Sequence, residues 1–199
     1  MTLITTINSV CDAVNIDRFD SVYGADDPAA NTMFELAQQA GDEIARRADW
    51  RGLLVSGSLL SSGSPIPTDF QRFVPGGGIR SAAGEFIRPV TNSAQWRVVS
   101  AIASVQPYYF LDGSVVRVAP PAAGNGALLD YVSNRWVKDG IAWGSNLTKD
   151  DNTFAFPEKL MVKDIIWRWR RLKGMAYDDQ LAEFEADLSQ EIDADRGQS

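Results

Sequence analysis

Apolar positions keep a helical period at both ends of this chain and break into short runs in the middle. Leu3, Ile7, Val10, Cys11 and Val14 recur at steps of mostly three and four, the spacing of one buried helix face, and the stripe stops in the Asn15–Asp17 region. A second helix is predicted from Asp27-Pro28, where proline suits the first turn. Its stripe is Met33, Phe34, Ala37, Ala40, Gly41, Ile44 and Ala48, with Asp42 and Glu43 turned away and Trp50 sealing the end. Pro157 opens a third helix whose stripe of Met161, Ile165, Trp169 and Leu172 is broadened by Val162 and Ile166. Gly174 fits its C-cap, and Arg170, Arg171 and Lys173 fall where the helix dipole favours cations. The last helix carries Tyr177, Leu181, Phe184, Leu188 and Ile192 as one unbroken seam.

Between these ends the period changes. Leu53-Leu54-Val55 and Leu59-Leu60 read as strands, and the Ser-, Gly- and Pro-rich stretch from Ser56 to Pro67 as turns. Gly76-Gly77-Gly78 reads as a flexible turn, since it lacks the Lys-Ser/Thr ending of a phosphate loop. Thr91 is the predicted N-cap of a helix to Ile102, with Trp96, Val99 and Ala103 on one side. A hairpin follows: Tyr108–Leu111, an Asp112-Gly113 turn with both residues at positive φ, then Ser114–Val118, stopped by Pro120-Pro121. Leu128–Val132 is a third strand, with Trp136 after it. The predicted class is α+β: a helical bundle from the N- and C-terminal helices, with a central antiparallel β-rich insertion forming a sheet or partial barrel. The boundaries place residues 1–52 and 153–199 in the helical part and 53–152 in the insertion.

Composition narrows the chemistry. The chain has 199 residues, enough to bury a core, and no apolar run near the roughly 18 residues of a membrane span. Met1-Thr2-Leu3-Ile4-Thr5-Thr6 lacks the basic start of a signal peptide, so the expected setting is the cytoplasm or a particle assembled there. The single cysteine, Cys11, excludes an intrachain disulfide and a multi-cysteine metal site, and sits where a buried thiol is expected. There is no histidine, which removes Ser-His-Asp, Cys-His and His-metal arrangements. Asp150-Asp151-Asn152 reads as turn chemistry, because the other spaced oxygen ligands of a cation loop are missing. Nothing in their spacing brings Asp69, Glu85 and Asp112 together as an acid–base pair. No catalytic residue, cofactor or metal is expected.

The net charge of −7 argues against general nucleic-acid binding. It is unevenly spread. From Asp178 to Asp195 there are eight acidic residues and no lysine or arginine, while the preceding helix carries Lys163, Arg168, Arg170, Arg171 and Lys173. In the Trp167-Arg168-Trp169-Arg170-Arg171 run, helical spacing puts Trp169 in the core and Trp167 about 200° away on a mixed face. Two readings stand for that face: solvated, snorkelling arginines, or a subunit contact, since Trp and Arg are enriched at binding hot spots. The acidic span is either a solvated face or, repeated around a ring, a wall that lets DNA slide past.

The order of these pieces resembles the head–tail adaptor (connector) proteins of tailed bacteriophages, of the tail tubular protein A type of short-tailed phages. The resemblance runs across most of the chain. It is carried by the opening helix with Ile7 and Val10, Glu43 to Trp50 ending a second helix, and Ile66-Pro67-Thr68-Asp69-Phe70-Gln71-Arg72, which is similar to a Leu-Pro-x-Asp-Phe element. Pro89-Val90 with Ser93 and Trp96 comes next, then the Asp112-Gly113 hairpin and Tyr131-Val132 leading to Trp136. Asp150-Asp151-Asn152, Pro157-Glu158, and Trp167-Arg168-Trp169 through Lys173-Gly174 to Tyr177 complete it. Ile66 stands where leucine is usual, and Asn152 where a third aspartate often stands.

That resemblance implies a virion protein of the neck: a ring, usually a dodecamer, joining the capsid portal protein to tail nozzle or tail tube proteins. Double-stranded DNA would pass through it without specific binding. Trp167, Arg168 and Arg171 become candidates for the subunit interface. Asp193, Asp195, Arg196, Gln198 and Ser199, in a polar tail able to order on binding, are candidates for the portal contact. Glu183, Asp187 and Glu191 are candidates for lining the channel. The competing expectations are a monomeric peptide- or nucleic-acid-binding module working through Trp167 and Arg168, and a hydrolase using carboxylates alone.

Overall fold

A computed structural model describes residues 1–102 and 106–197. The order of elements opens α1 (Leu3–Val14), α2 (Pro28–Arg47), β1 (Leu54–Ser58), β2 (Ser64–Pro65), β3 (Phe70–Arg80), β4 (Phe86–Val90) and α3 (Ser93–Ala101). It continues with β5 (Tyr108–Asp112), β6 (Val115–Ala119), β7 (Leu128–Ser133), β8 (Val137–Asp139), β9 (Ala142–Gly144), β10 (Thr153–Phe154), α4 (Glu158–Leu172) and α5 (Asp178–Arg196). The chain divides into two compact units, one of Met1–Leu53 with the segment from Asn134 onward, the other Leu54–Ser133. The α+β class, with a β-rich insertion between terminal helices, is what the hydrophobic pattern predicts.

In the helical unit, local chemistry sets the helix ends. Thr2 and Thr5 form a reciprocal capping box at α1, and Asn15 closes that helix in the left-handed region at φ 56°. Asp27 Oδ1 accepts from the Ala29 amide ahead of α2, with Pro28 at N1 as expected. Past α4, Gly174 takes φ 67°. Its amide donates to Arg171 O at 3.1 Å and the Met175 amide to Arg170 O at 2.9 Å, a complete Schellman closure with Gly174 one residue beyond the cap.

The core of this unit gathers Leu3, Ile7, Met33, Ile44, Trp50, Trp136, Leu160 and Ile165, all essentially inaccessible to solvent. Trp136 decides where the segment 134–152 belongs. Its ring lies against the backbone of α2, so that a Cβ added at Gly41 would fall 2.0 Å from it. Its Nε1 donates to Asp42 Oδ1 at 2.9 Å, and it stacks on Phe156 at 5.8 Å. Gln38 adds hydrogen bonds to Ser145 O and from the Leu147 amide. Residues 134–152 therefore fold with the helices, their strands β8 and β9 joining β10 in a small sheet of order β10-β8-β9, and the helical unit is larger than the boundary at 153 predicts.

The β unit is a seven-stranded sheet, curled into a half-barrel, of order β1-β7-β3-β4-β5-β6-β2. Leu59, Ile79, Ile87, Tyr109, Val116, Val118, Leu129 and Tyr131 form its core. Five local expectations change. Gly76-Gly77-Gly78 is no chain reversal: β3 runs through it as one strand, with a bulge where the pairing with β7 jumps from Phe73 to Gly78. Leu59-Leu60 is not a strand; Leu59 is buried beyond the end of β1, while Leu60 is exposed. The hairpin turns at Gly113-Ser114, not Asp112-Gly113, with only Gly113 at positive φ, because Asp112 stays paired with Val115. Asn92 rather than Thr91 caps α3, accepting from the Gln95 amide at 2.7 Å; Ala103 lies outside the described residues. Finally, β4 and β5 pair in parallel, so the insertion is not purely antiparallel. A parallel pair needs a crossover of about a dozen residues or more, and α3 supplies it.

Candidate assembly surface on the helical unit

The apolar face of α4 buries Leu160, Met161 and Ile165, and both tryptophans go under cover with it. Trp169 is in the core as predicted, beneath the Lys173 ammonium at 4.4 Å from the ring centroid. Trp167 is only 8 % exposed, more enclosed than a mixed face predicts, because Tyr177 folds over it with ring centroids 6.2 Å apart. The Arg168 guanidinium lies over the Trp167 ring, 4.6 Å from its centroid. Trp167 Nε1 is buried and makes no hydrogen bond of ordinary geometry. Leu172, the last position of the predicted stripe and the last residue of α4, is 57 % exposed.

The outer edges of these residues line one groove. Leu36 and Gln39 of α2 form one wall, with Trp167, Arg168, Arg171 and Leu172 of α4 opposite, enclosing about 470 Å³. The three residues picked from sequence as interface candidates are thus brought together, and Leu36, Gln39 and Leu172 join them. An apolar floor flanked by guanidinium groups is the composition of a protein-binding patch. It offers no nucleophile or general base to a substrate.

Beneath the groove lies a group that residue type alone does not flag. Asp164 is completely buried, and Arg168 donates to it through Nε to Oδ1 at 3.0 Å and Nη2 to Oδ2 at 3.4 Å. Burial pushes the Asp164 carboxyl up to about 6, against the lowering effect of Arg168. The pair fixes Arg168 in position over Trp167. Its signal in the sequence is the four-residue spacing of Asp164 and Arg168 on one helix.

The acidic helix behaves differently from a bare wall. Lys163 Nζ reaches Glu183 Oε1 at 2.6 Å and Asp187 Oδ2 at 2.7 Å, and Lys159 pairs with Glu191 at 2.5 Å. The channel-lining candidates are therefore the carboxylates by which α5 is tied to α4. Asp187 and Glu183 in turn hold the Lys163 ammonium above the ordinary lysine range. Arg47 of α2 engages Glu185 as well. Phe184 and Leu188 carry the buried side of α5, while Leu181 and Ile192 are half-buried, a narrower seam than predicted.

The portal-contact candidates divide. Asp193, Asp195 and Arg196 are not in a loose tail, because α5 continues to Arg196 and Gly197 closes it at φ 75°. Asp195 Oδ2 accepts from the Arg51 amide at 2.8 Å, whereas Asp193 and Arg196 are exposed. Gln198 and Ser199 lie outside the described residues.

Asp150-Asp151-Asn152 does turn work. Asn152 Oδ1 accepts from the Thr148 and Lys149 amides at 2.7 and 3.0 Å. Asp150 accepts from the Ser21 hydroxyl at 2.6 Å and from the Val22 and Tyr23 amides at 3.0 and 2.9 Å. Burial raises the Asp150 carboxyl, but those donors outweigh it and hold it below the usual carboxylate range. In the β unit, Asp69 accepts from Tyr131 and Ser133. Among the described residues no group of three or more Cys, Asp or Glu side chains is placed to hold a metal ion.

A family model described as "SU10 adaptor protein" matches residues 1–199, the whole chain. The chain belongs to the SU10 adaptor protein family. No curated protein matches it. The adaptor is thus a phage structural protein that works with head and tail components of the virion. Among its described residues no helix is long and apolar enough to cross a membrane. A further exposed apolar feature of the adaptor, missed from sequence, is the β8–β9 turn. There Ile141 is 99 % exposed beside Trp143, whose ring lies 5.7 Å from the Lys138 ammonium. Its signal in the sequence is the pair of large apolar residues, Ile141 and Trp143, just after Gly140.

Proposed function

We propose that this adaptor forms a closed homo-oligomeric ring, a dodecamer as in connectors of the tail tubular protein A type, that joins the capsid portal to the tail. It acts as a conduit and landing surface and catalyses no reaction. The helical unit builds the ring and grips the portal, and the β unit faces the tail nozzle or tail tube proteins. The observation that carries this reading is the groove holding Trp167, Arg168, Arg171 and Leu172. It is an apolar and cationic patch on an acidic, histidine-free chain, better suited to a protein partner than to a substrate.

In the ring, the α5 row of Glu183, Asp187 and Glu191 lines the DNA path as a mixed-charge surface, its carboxylates screened by Lys159 and Lys163. A screened row neither captures phosphate nor repels it strongly. Asp193 and Arg196, exposed at the end of α5, with Gln198 and Ser199 beyond it, reach the portal.

Negative-stain imaging of the purified protein, alone and with portal-bearing capsids, tests the proposal. Rings are expected for the unaltered chain, and loss of rings for Leu172→Asp, which alters an exposed position and spares the core. Truncation after Ala194 should leave the subunit folded and block attachment to portals. A chain that stays monomeric in both settings would refute the ring, and normal attachment after truncation would refute the portal contact.

A further inference from the structure

The groove has one rim cation, Arg171, with no ion-pair partner among the described residues, and the same unit has an acidic loop whose Asp17, Asp20 and Asp26 have none. Ion pairing within the helical unit uses Lys159 and Lys163 against α5, Arg46 and Arg47 against Glu43, with Glu185 joining Arg47, and Arg168 against Asp164. Arg170, Arg171 and Lys173, packed into the last turn of α4, make no ion pair among the described residues, although Lys173 lies over Trp169. Arg170 shares a smaller groove of about 230 Å³ with Asp178 and Asp179, so its charge is locally balanced. Arg171 faces the larger groove, where no carboxylate lines the wall.

The complementary surface is the connection between α1 and α2. Asp17, Asp20 and Asp26 lie there without a hydrogen bond or ion pair among the described residues, because the loop's one cation, Arg18, is engaged by Asp12 at 2.7 Å. Tyr23 stands in the same loop, 49 % exposed, its ring tilted against that of Phe34 with centroids 5.7 Å apart. Among the described residues Glu35, Asp151 and Asp193 stand singly, and Asp178 and Asp179 sit beside Arg170, whereas the loop joins three acids to an exposed aromatic. No residue of the loop lines the groove of its own chain, and Asp150 and Asn8 hold the loop in place by hydrogen bonds to Ser21, Val22, Tyr23 and Phe19.

We infer that the groove between α2 and α4 receives the α1–α2 loop of a second copy of this chain. Tyr23 enters over Leu36 and Leu172, and Asp17, Asp20 and Asp26 meet Arg171 and the outer edge of Arg168. Two different patches meet in such a contact, and a heterologous contact of this kind is what generates a ring when its rotation closes. The inference rests on the ring reading above and adds to it which surfaces meet.

A charge swap tests it. Arg171→Glu alone, and Asp17→Lys with Asp20→Lys and Asp26→Lys, should each reduce ring formation by at least tenfold in native mass spectrometry and negative stain. Carrying all four changes in one chain should restore rings to near the unaltered level, since groove and loop are again opposite in sign. Tyr23→Ala, which changes no charge, should also lower ring yield several-fold, and thermal melts establish that each variant is folded. Mixing Arg171→Cys with Asp20→Cys should give a disulfide-linked pair of chains. Rings that persist in the loop variants, or a four-change chain that stays apart, would overturn the pairing of surfaces while leaving the ring intact. If the unaltered protein forms no closed oligomer alone or on portal-bearing capsids, the ring itself is lost and the pairing with it.

Discussion

Helices α3 and α4 both carry tryptophan on a predicted apolar stripe, yet they meet opposite fates. α4 buries Leu160, Met161, Asp164, Ile165, Trp167 and Trp169, while α3 buries nothing. Trp96 of α3 only stacks on Phe110, at 5.7 Å and 17° between planes, and Val98 and Ile102 face solvent. The difference lies in what each helix is for. α4 is the element around which α1, α2 and α5 assemble their core. α3 is a crossover whose task is to carry the chain from β4 to the parallel β5. Helical spacing states that one face is apolar; only tertiary partners decide whether that face is covered.

The largest effect expected from this contrast is at Gly41. A methyl there collides with the Trp136 ring, and neither a helix backbone nor a buried indole can retreat cheaply. Gly41→Ala should cost about 3 kcal/mol or more in chemical denaturation. A cost under about 1 kcal/mol would mean that the helical core is far more plastic than described.

Next comes Asp164. Its carboxyl is raised to about 6 in the fold, against an ordinary value near 4 when unfolded. The folded state therefore holds the proton more tightly, and the group's stabilising contribution is fully present below about pH 4 and lost as pH rises through about 6. The amplitude is on the order of 2–3 kcal/mol. Asp164→Asn cannot titrate, so the stability difference between it and the unaltered protein should change by that amount between pH 4 and 6. A difference that stays flat over this window would show that the carboxyl is not desolvated.

A smaller effect belongs to Lys163, which bridges two carboxylates of α5. Lys163→Ala should cost about 1 kcal/mol, less in high salt. The smallest is at α3: Trp96→Ala should lower stability by no more than about 1 kcal/mol, the value of one aromatic contact. If Trp96 proved as costly as Gly41, the contrast between the two helices would collapse.

How much of this was legible depended on how local each feature is. The terminal helices, their caps at Asp27 and Gly174 and the hairpin near Gly113 follow from short-range spacing and φ preference, and they appear where the chain predicts them to within a residue or so. The parallel pairing of β4 with β5 did not show, because it joins strands some distance apart whose residues carry no mark of direction. Trp136 was assigned to the wrong unit for the same reason: its partners Gly41 and Asp42 lie far away in sequence. At the candidate site, Trp167, Arg168 and Arg171 stood out by residue type. Leu36 and Gln39 did not, since they join the groove only through the crossing of α2 with α4. The acids of α5 were read as free because their lysines sit on another helix, and that pairing exists only once both have packed.

The hold of Asp150 on the loop between the first two helices has a consequence for association. A loop with three pendant aspartates would ordinarily be pliable, and binding would have to freeze it at an entropic cost. Here one carboxylate, clasping the Ser21 hydroxyl and the Val22 and Tyr23 amides, has already frozen the segment that presents Tyr23. In the proposed contact between copies, the adaptor would meet its neighbour with a rigid knuckle instead of a floppy arm, so that a modest patch would suffice for a durable joint.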